Sequence, residues 1–101
     1  MTTTVVNHFV AGSDYVGESE RTAPVFDPAL GVATKEVRLA STADMDAAVK
    51  AAEAALPGWA GMSMTKRNQV LFRFRELLEA KKGELAEIIT SEHGKVLSDA
   101  L

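Results

Sequence analysis

The hydrophobic rhythm of this chain changes once, at Ser41. Before it, short apolar stretches are interrupted every few residues by Gly, Asn, Asp or Pro. After it, apolar residues recur at helical spacing as far as Leu101. The switch predicts an α/β chain, with a β-rich part over residues 5–40 and a helical part over 41–101.

In the first part, Val5 to Gly12 read as a strand running into a turn. Ser13-Asp14 supplies turn chemistry, and Tyr15-Val16 begins a return strand. An isolated hairpin is marginal in water, so this one must pack on something else. In Val25-Phe26-Asp27-Pro28-Ala29-Leu30-Gly31, Pro28 drives Asp27 out of the helical region and Asp27 can turn its carboxylate onto nearby amides. Gly31 allows a positive φ, and a further strand follows at 34–39 with Val37 and Leu39 on one face.

In the second part, Ser41 or Thr42 caps a helix whose first turn carries Asp44 and Asp46 at the positive dipole end. Met45, Ala48, Val49, Ala52 and Leu56 form its apolar stripe, Pro57-Gly58 ends it, and Trp59 plugs the corner. A second helix begins after Ser63 and runs to about Lys82. Val70, Leu71, Phe74, Leu77 and Leu78 form its buried face, with Arg75 and Glu79 as an outward pair. Gly83 marks a break. A shorter helix lined by Leu85, Ile88 and Ile89 then closes on Gly94. A fourth pattern opens at Val96 and Leu97 and reaches Leu101 without a stop signal, so more chain is expected beyond it.

The 101 residues could form one small domain, burying roughly 65% of the unfolded surface. Abundant, periodic apolar residues (47% of the chain) argue against disorder. A net charge of −3, from 14 acidic and 11 basic residues, argues against a nucleic-acid partner. No basic or long apolar leader opens the chain, and no apolar run reaches the roughly 20 residues a membrane span needs. No membrane partner and a cytoplasmic location are therefore expected.

The chain has no cysteine, which excludes a thiol nucleophile and thiolate metal sites within it. His8 and His93 lack ligand partners at metal-binding spacing, and packing or surface roles suit them better. The glycines form neither G-x-G-x-x-G nor a P-loop, and no serine lies in G-x-S-x-G. Glu92 with Lys95 reads as a local ion pair. The basic amphipathic run Lys66 to Arg75 could face a membrane surface or a partner helix. The simpler reading is a core-facing helix with arginines extended to solvent. On this reading the chain contains no catalytic, cofactor-binding or metal-ligating residue.

Taken in order, these segments resemble the N-terminal region of the aldehyde dehydrogenase superfamily, from about His8 to Leu101. The landmarks are His8-Phe9-Val10-Ala11-Gly12, Phe26-Asp27-Pro28-Ala29-Leu30-Gly31, and Ala40-Ser41 leading into Asp44-Met45-Asp46-Ala47-Ala48-Val49. Trp59, Lys66-Arg67, Leu77-Leu78-Glu79 and Glu92-His93-Gly94-Lys95 follow in register. Within the superfamily, the chain is most similar to the CoA-acylating methylmalonate-semialdehyde (malonate-semialdehyde) dehydrogenase branch. The pointers are His8-Phe9, the run Val70 to Leu78, and His93 in Ser91-Glu92-His93-Gly94-Lys95, where most other branches carry Glu-Thr-Gly-Lys. Leu30 departs from the usual small polar residue of the turn, and Asp27 replaces the commoner Asn.

The resemblance implies the N-terminal segment of a cofactor-binding domain, incomplete as a domain, with a hairpin and short strands followed by three to four helices. The catalytic domain would lie outside the chain. The parent would be an oligomeric enzyme that uses a cysteine nucleophile to form a thiohemiacetal, NAD as hydride acceptor and coenzyme A as acyl acceptor. Decarboxylation would accompany the sequence, giving propionyl-CoA or acetyl-CoA. All the family's functional residues would lie beyond Leu101, so the chain alone is expected to be inactive, to bind neither NAD nor CoA, and to have the rest of the parent as its partner. The competing expectations are a free-standing helical adaptor, a membrane-surface helix centred on 66–82, or another aldehyde dehydrogenase branch.

Overall fold

A computed structural model describes residues 4–101. Five strands precede three helices: β1 (Thr4–Val6), β2 (His8–Val10), β3 (Ser13–Tyr15), β4 (Thr22–Asp27), β5 (Val32–Arg38), α1 (Thr42–Ala60), α2 (Met64–His93) and α3 (Leu97–Ala100). The change from strand to helix thus falls where the hydrophobic rhythm changes.

β5 is the centre of a three-stranded sheet ordered β1-β5-β4. β1 runs parallel to it, with Val5 opposite Glu36, and β4 runs antiparallel, with Ala23 opposite Val37. Pro24 donates no amide hydrogen and lies on the edge strand β4, where the lost donor costs least. The turn from β4 to β5 forms as its residues dictate. The Asp27 carboxylate accepts the Ala29 amide at 2.9 Å, the Asp27 carbonyl accepts the Gly31 amide at 2.8 Å, and Gly31 takes φ 69°.

β2 and β3 pair separately as a hairpin, with His8 opposite Tyr15 and Val10 opposite Ser13. The turn is Ala11-Gly12, with φ of 53° and 81°, and not Ser13-Asp14, which belong to the return strand. Two consecutive left-handed residues give the backbone twist that a two-residue hairpin loop requires, and Gly12 makes that conformation accessible.

Ser41 caps α1 in a capping box. Its hydroxyl accepts the Asp44 amide at 3.1 Å, and the Asp44 carboxylate accepts the Ser41 amide at 2.9 Å. The helix passes through Pro57 and Gly58 and ends only at Gly61. Proline removes one backbone donor, but it sits in the last turn, where few helical bonds remain to be lost and solvent reaches the free carbonyl. Trp59 accordingly lies within α1, 40% exposed, and plugs no corner.

Ser63 caps α2 by accepting the Lys66 amide at 3.2 Å. This helix runs 30 residues to His93 and crosses Gly83 unbroken, so the expected second and third helices are one. A glycine interior to a helix costs about 1 kcal/mol, too little to break a helix with good formers on both sides. Gly94 ends it in the left-handed conformation, φ 87°. α3 is a single short turn of helix after it.

Three expected side-chain arrangements differ. Glu92 pairs with Lys35 of β5 at 2.9 Å rather than with Lys95, because the end of α2 comes back over the sheet. Glu79 pairs with Lys82 at 2.7 Å, on the following turn, rather than with Arg75. The supposed buried face of α2 is open, with Val70 49% and Phe74 58% exposed.

The reason lies in the packing. The principal contacts join β4 to β5, β1 to β5, β2 to β3, α2 to α3 and α2 to β4, and none of them joins α1 to α2. Among the described residues Ala86 is the one buried apolar side chain. The radius of gyration is 17.2 Å, over extents of 48 × 36 × 18 Å. A self-contained domain of this length has about 13 Å. The elements are well formed, and they enclose almost nothing.

Candidate functional site

The best-organised polar centre lies where the hairpin meets α1. Asp44, in the first turn of α1, is 3% exposed. Its Oδ1 accepts the Glu18 amide at 2.8 Å and the Tyr15 hydroxyl at 3.3 Å, while Oδ2 accepts the Ser41 amide. Gly17, at φ 79°, lies so close that a Cβ there would fall 2.6 Å from Oδ1. One carboxylate therefore joins β3, the loop after it, the helix cap and α1.

This geometry settles what Asp44 can do. Hydrogen bonds from the Ser41 and Glu18 amides hold its carboxyl well below the usual carboxylate range. Burial, together with the adjacent Asp44 charge, pushes the Tyr15 hydroxyl up from 10.0. The Lys82 ammonium, by hydrogen bond and charge, draws Glu79 down from 4.5. Asp44, Tyr15 and Glu79 all move away from neutrality, the opposite of what general acid–base catalysis needs. Asp44 is a structural junction.

A second junction ties α2 to the sheet. Lys35 of β5 meets Glu92, and the left-handed Gly94 packs against Pro28, where an added Cβ would come within 3.2 Å of the proline ring. The Glu92-His93-Gly94 stretch thus rests on the Asp27-Pro28 turn, two motifs far apart in sequence. Arg38 adds a tie from β5 to Asn7, its Nε donating at 2.8 Å.

His8 faces Tyr15 across the hairpin, with ring centroids 6.2 Å apart, and His93 is the last residue of α2. Among the described residues no three His, Asp or Glu side chains converge as a metal site. Also among them, no helix is long and apolar enough to cross a membrane.

The model of the aldehyde dehydrogenase family matches residues 15–101. The chain belongs to the aldehyde dehydrogenase family. It is 40% identical over 93 residues to the malonate-semialdehyde dehydrogenase of Pseudomonas aeruginosa, covering 92% of this chain and 19% of that protein. It is 42% identical over 92 residues to the N-succinylglutamate 5-semialdehyde dehydrogenase of Chromobacterium violaceum, again 19% of that protein. Among solved structures, it superposes with a TM-score of 0.95 at 40% identity on a Sinorhizobium meliloti protein assigned as a methylmalonate-semialdehyde dehydrogenase and complexed with NAD. That match covers 98% of this chain and 20% of the other. The chain therefore spans about a fifth of the length of the relatives it matches.

Both junctions lie within the aldehyde dehydrogenase match. Neither helix N-terminus, of α1 or of α2, fits the pyrophosphate of a dinucleotide. A helix N-terminus can hold phosphate through free amides and a positive dipole end, but at α1 the Asp44 carboxylate already occupies that place. At α2 the Ser63 hydroxyl takes the Lys66 amide.

The sequence located Ser41, Asp27 and Gly94 by local chemistry. It gave Asp44 only a dipole role and missed the Tyr15, Gly17 and Glu18 contacts. The one available signal was the capping-box spacing of Ser41 and Asp44, which points to a cap and carries no information about the hairpin.

Proposed function

We propose that this chain is the N-terminal segment of the cofactor-binding domain of an NAD-dependent, CoA-acylating dehydrogenase. The whole enzyme converts methylmalonate or malonate semialdehyde to propionyl-CoA or acetyl-CoA in the cytoplasm, as a homo-oligomer. The segment itself is catalytically silent and shapes one side of the domain. Its partner is the remainder of the enzyme, which covers the apolar faces of α1 and α2.

The observation that carries this reading is the superposition, at TM-score 0.95, of nearly the whole chain on one fifth of a longer dehydrogenase. The open architecture supports it, because well-formed helices with exposed apolar faces need a larger body to bury them. The N-succinylglutamate relative favours a second reading, a different semialdehyde branch of the same family.

The test is a chimaera in which this chain replaces the matching fifth of the Pseudomonas aeruginosa enzyme. A soluble chimaera with CoA-dependent semialdehyde oxidation is expected, and an insoluble or misfolded one would count against the segment's place. The isolated chain should show no NAD-linked aldehyde oxidation, and micromolar NAD binding to it would overturn the proposed silence. Reading the gene past codon 101 addresses the substrate branch. An in-frame continuation with a cysteine nucleophile and the semialdehyde-branch pattern is expected.

A further inference from the structure

We draw no further inference here: the strongest candidate, the cleft between the β2–β3 hairpin and α1 where the Nε2 of His8 is buried without a hydrogen-bond partner among the described residues, carries nothing, because the chain spans about a fifth of the relatives it matches and nothing in the structure shows what covers that cleft.

Discussion

The amide of Glu18 donates to the Asp44 carboxylate at 2.8 Å across 26 positions of sequence. That bond fastens the loop after the hairpin to the first turn of α1. It is one of three hydrogen bonds that converge on a single side chain from Tyr15, Glu18 and Ser41.

Asp44→Ala removes all three acceptor contacts and leaves the Glu18 and Ser41 amides without their partner. Loss on the order of 5 °C or more in Tm is expected. Asp44→Asn keeps an acceptor oxygen and should lose less. Thermal unfolding, with hydrogen exchange at the Glu18 and Ser41 amides, measures both. Equal Tm values for all three proteins would refute the junction.

The same centre fixes the pH response at both ends. Asp44 has a lowered carboxyl pKa in the folded state, so its stabilisation is present above the unfolded value of 3.8 and disappears as pH falls below it. Tyr15 has a raised pKa, so its contribution is present below 10.0 and disappears as pH rises through the folded value. Tm plotted against pH should fall below about pH 4 and above about pH 10, the unperturbed Asp and Tyr values. Asp44→Asn should flatten the acid limb and Tyr15→Phe the alkaline one.

Two glycines with nearly the same φ, 81° and 79°, separate conformational strain from collision. Gly12→Ala meets no atom within 4 Å and should cost only the left-handed penalty of about 1–2 kcal/mol. Gly17→Ala must also displace the Asp44 carboxylate and should cost a further amount, about 1–3 kcal/mol. In an Asp44→Ala background that further cost should vanish, and a double-mutant cycle by urea unfolding reads it directly.

Glu92→Gln tests the tie between α2 and the sheet. The pair is partly exposed, 26% on the Lys35 side and 43% on the Glu92 side, so a loss of about 0.2–1 kcal/mol is expected, shrinking in high salt. A loss of several kcal/mol would mean that the second junction carries far more than its geometry suggests.

Pro57→Ala should instead stabilise the chain, because α1 already runs through this position without the donor that proline lacks. A rise in helical signal and in Tm is the expected outcome, and a fall in both would show that the ring makes contacts the missing bond does not outweigh.

What could be seen in the sequence was local. Ser41 as a cap, Asp27 folding onto its own turn and Gly94 as a helix end each depend on neighbours within a few positions, and each forms as expected. Pro57 and Gly83 misled because a breaker contributes only a few kcal/mol, and the propensity of the surrounding residues outweighs it. The Ser13-Asp14 turn was misplaced because polarity alone cannot distinguish a loop from the first pair of a return strand. The left-handed pair Ala11-Gly12 decides that. Lys35 with Glu92 and Glu18 with Asp44 were out of reach, since no local pattern specifies partners 57 and 26 positions apart. Family membership was legible because spaced motifs record such distant constraints jointly. The open face of α2 was read as core, since apolar periodicity shows that a surface will be covered without showing by what.

The parallel seating of β1 beside β5 also bears on how the chain acquires its shape. β4 and β5 are joined by a short turn and can zip together early. β1 must then close a loop of roughly thirty residues, from Val6 back to Val37, before its first ladder bond forms. Of the three strands of this sheet, the last to join is therefore the first to be synthesised. Until β5 has been synthesised, β1 has nothing to pair with, and the edge of β5 that receives it stays open to competing strands.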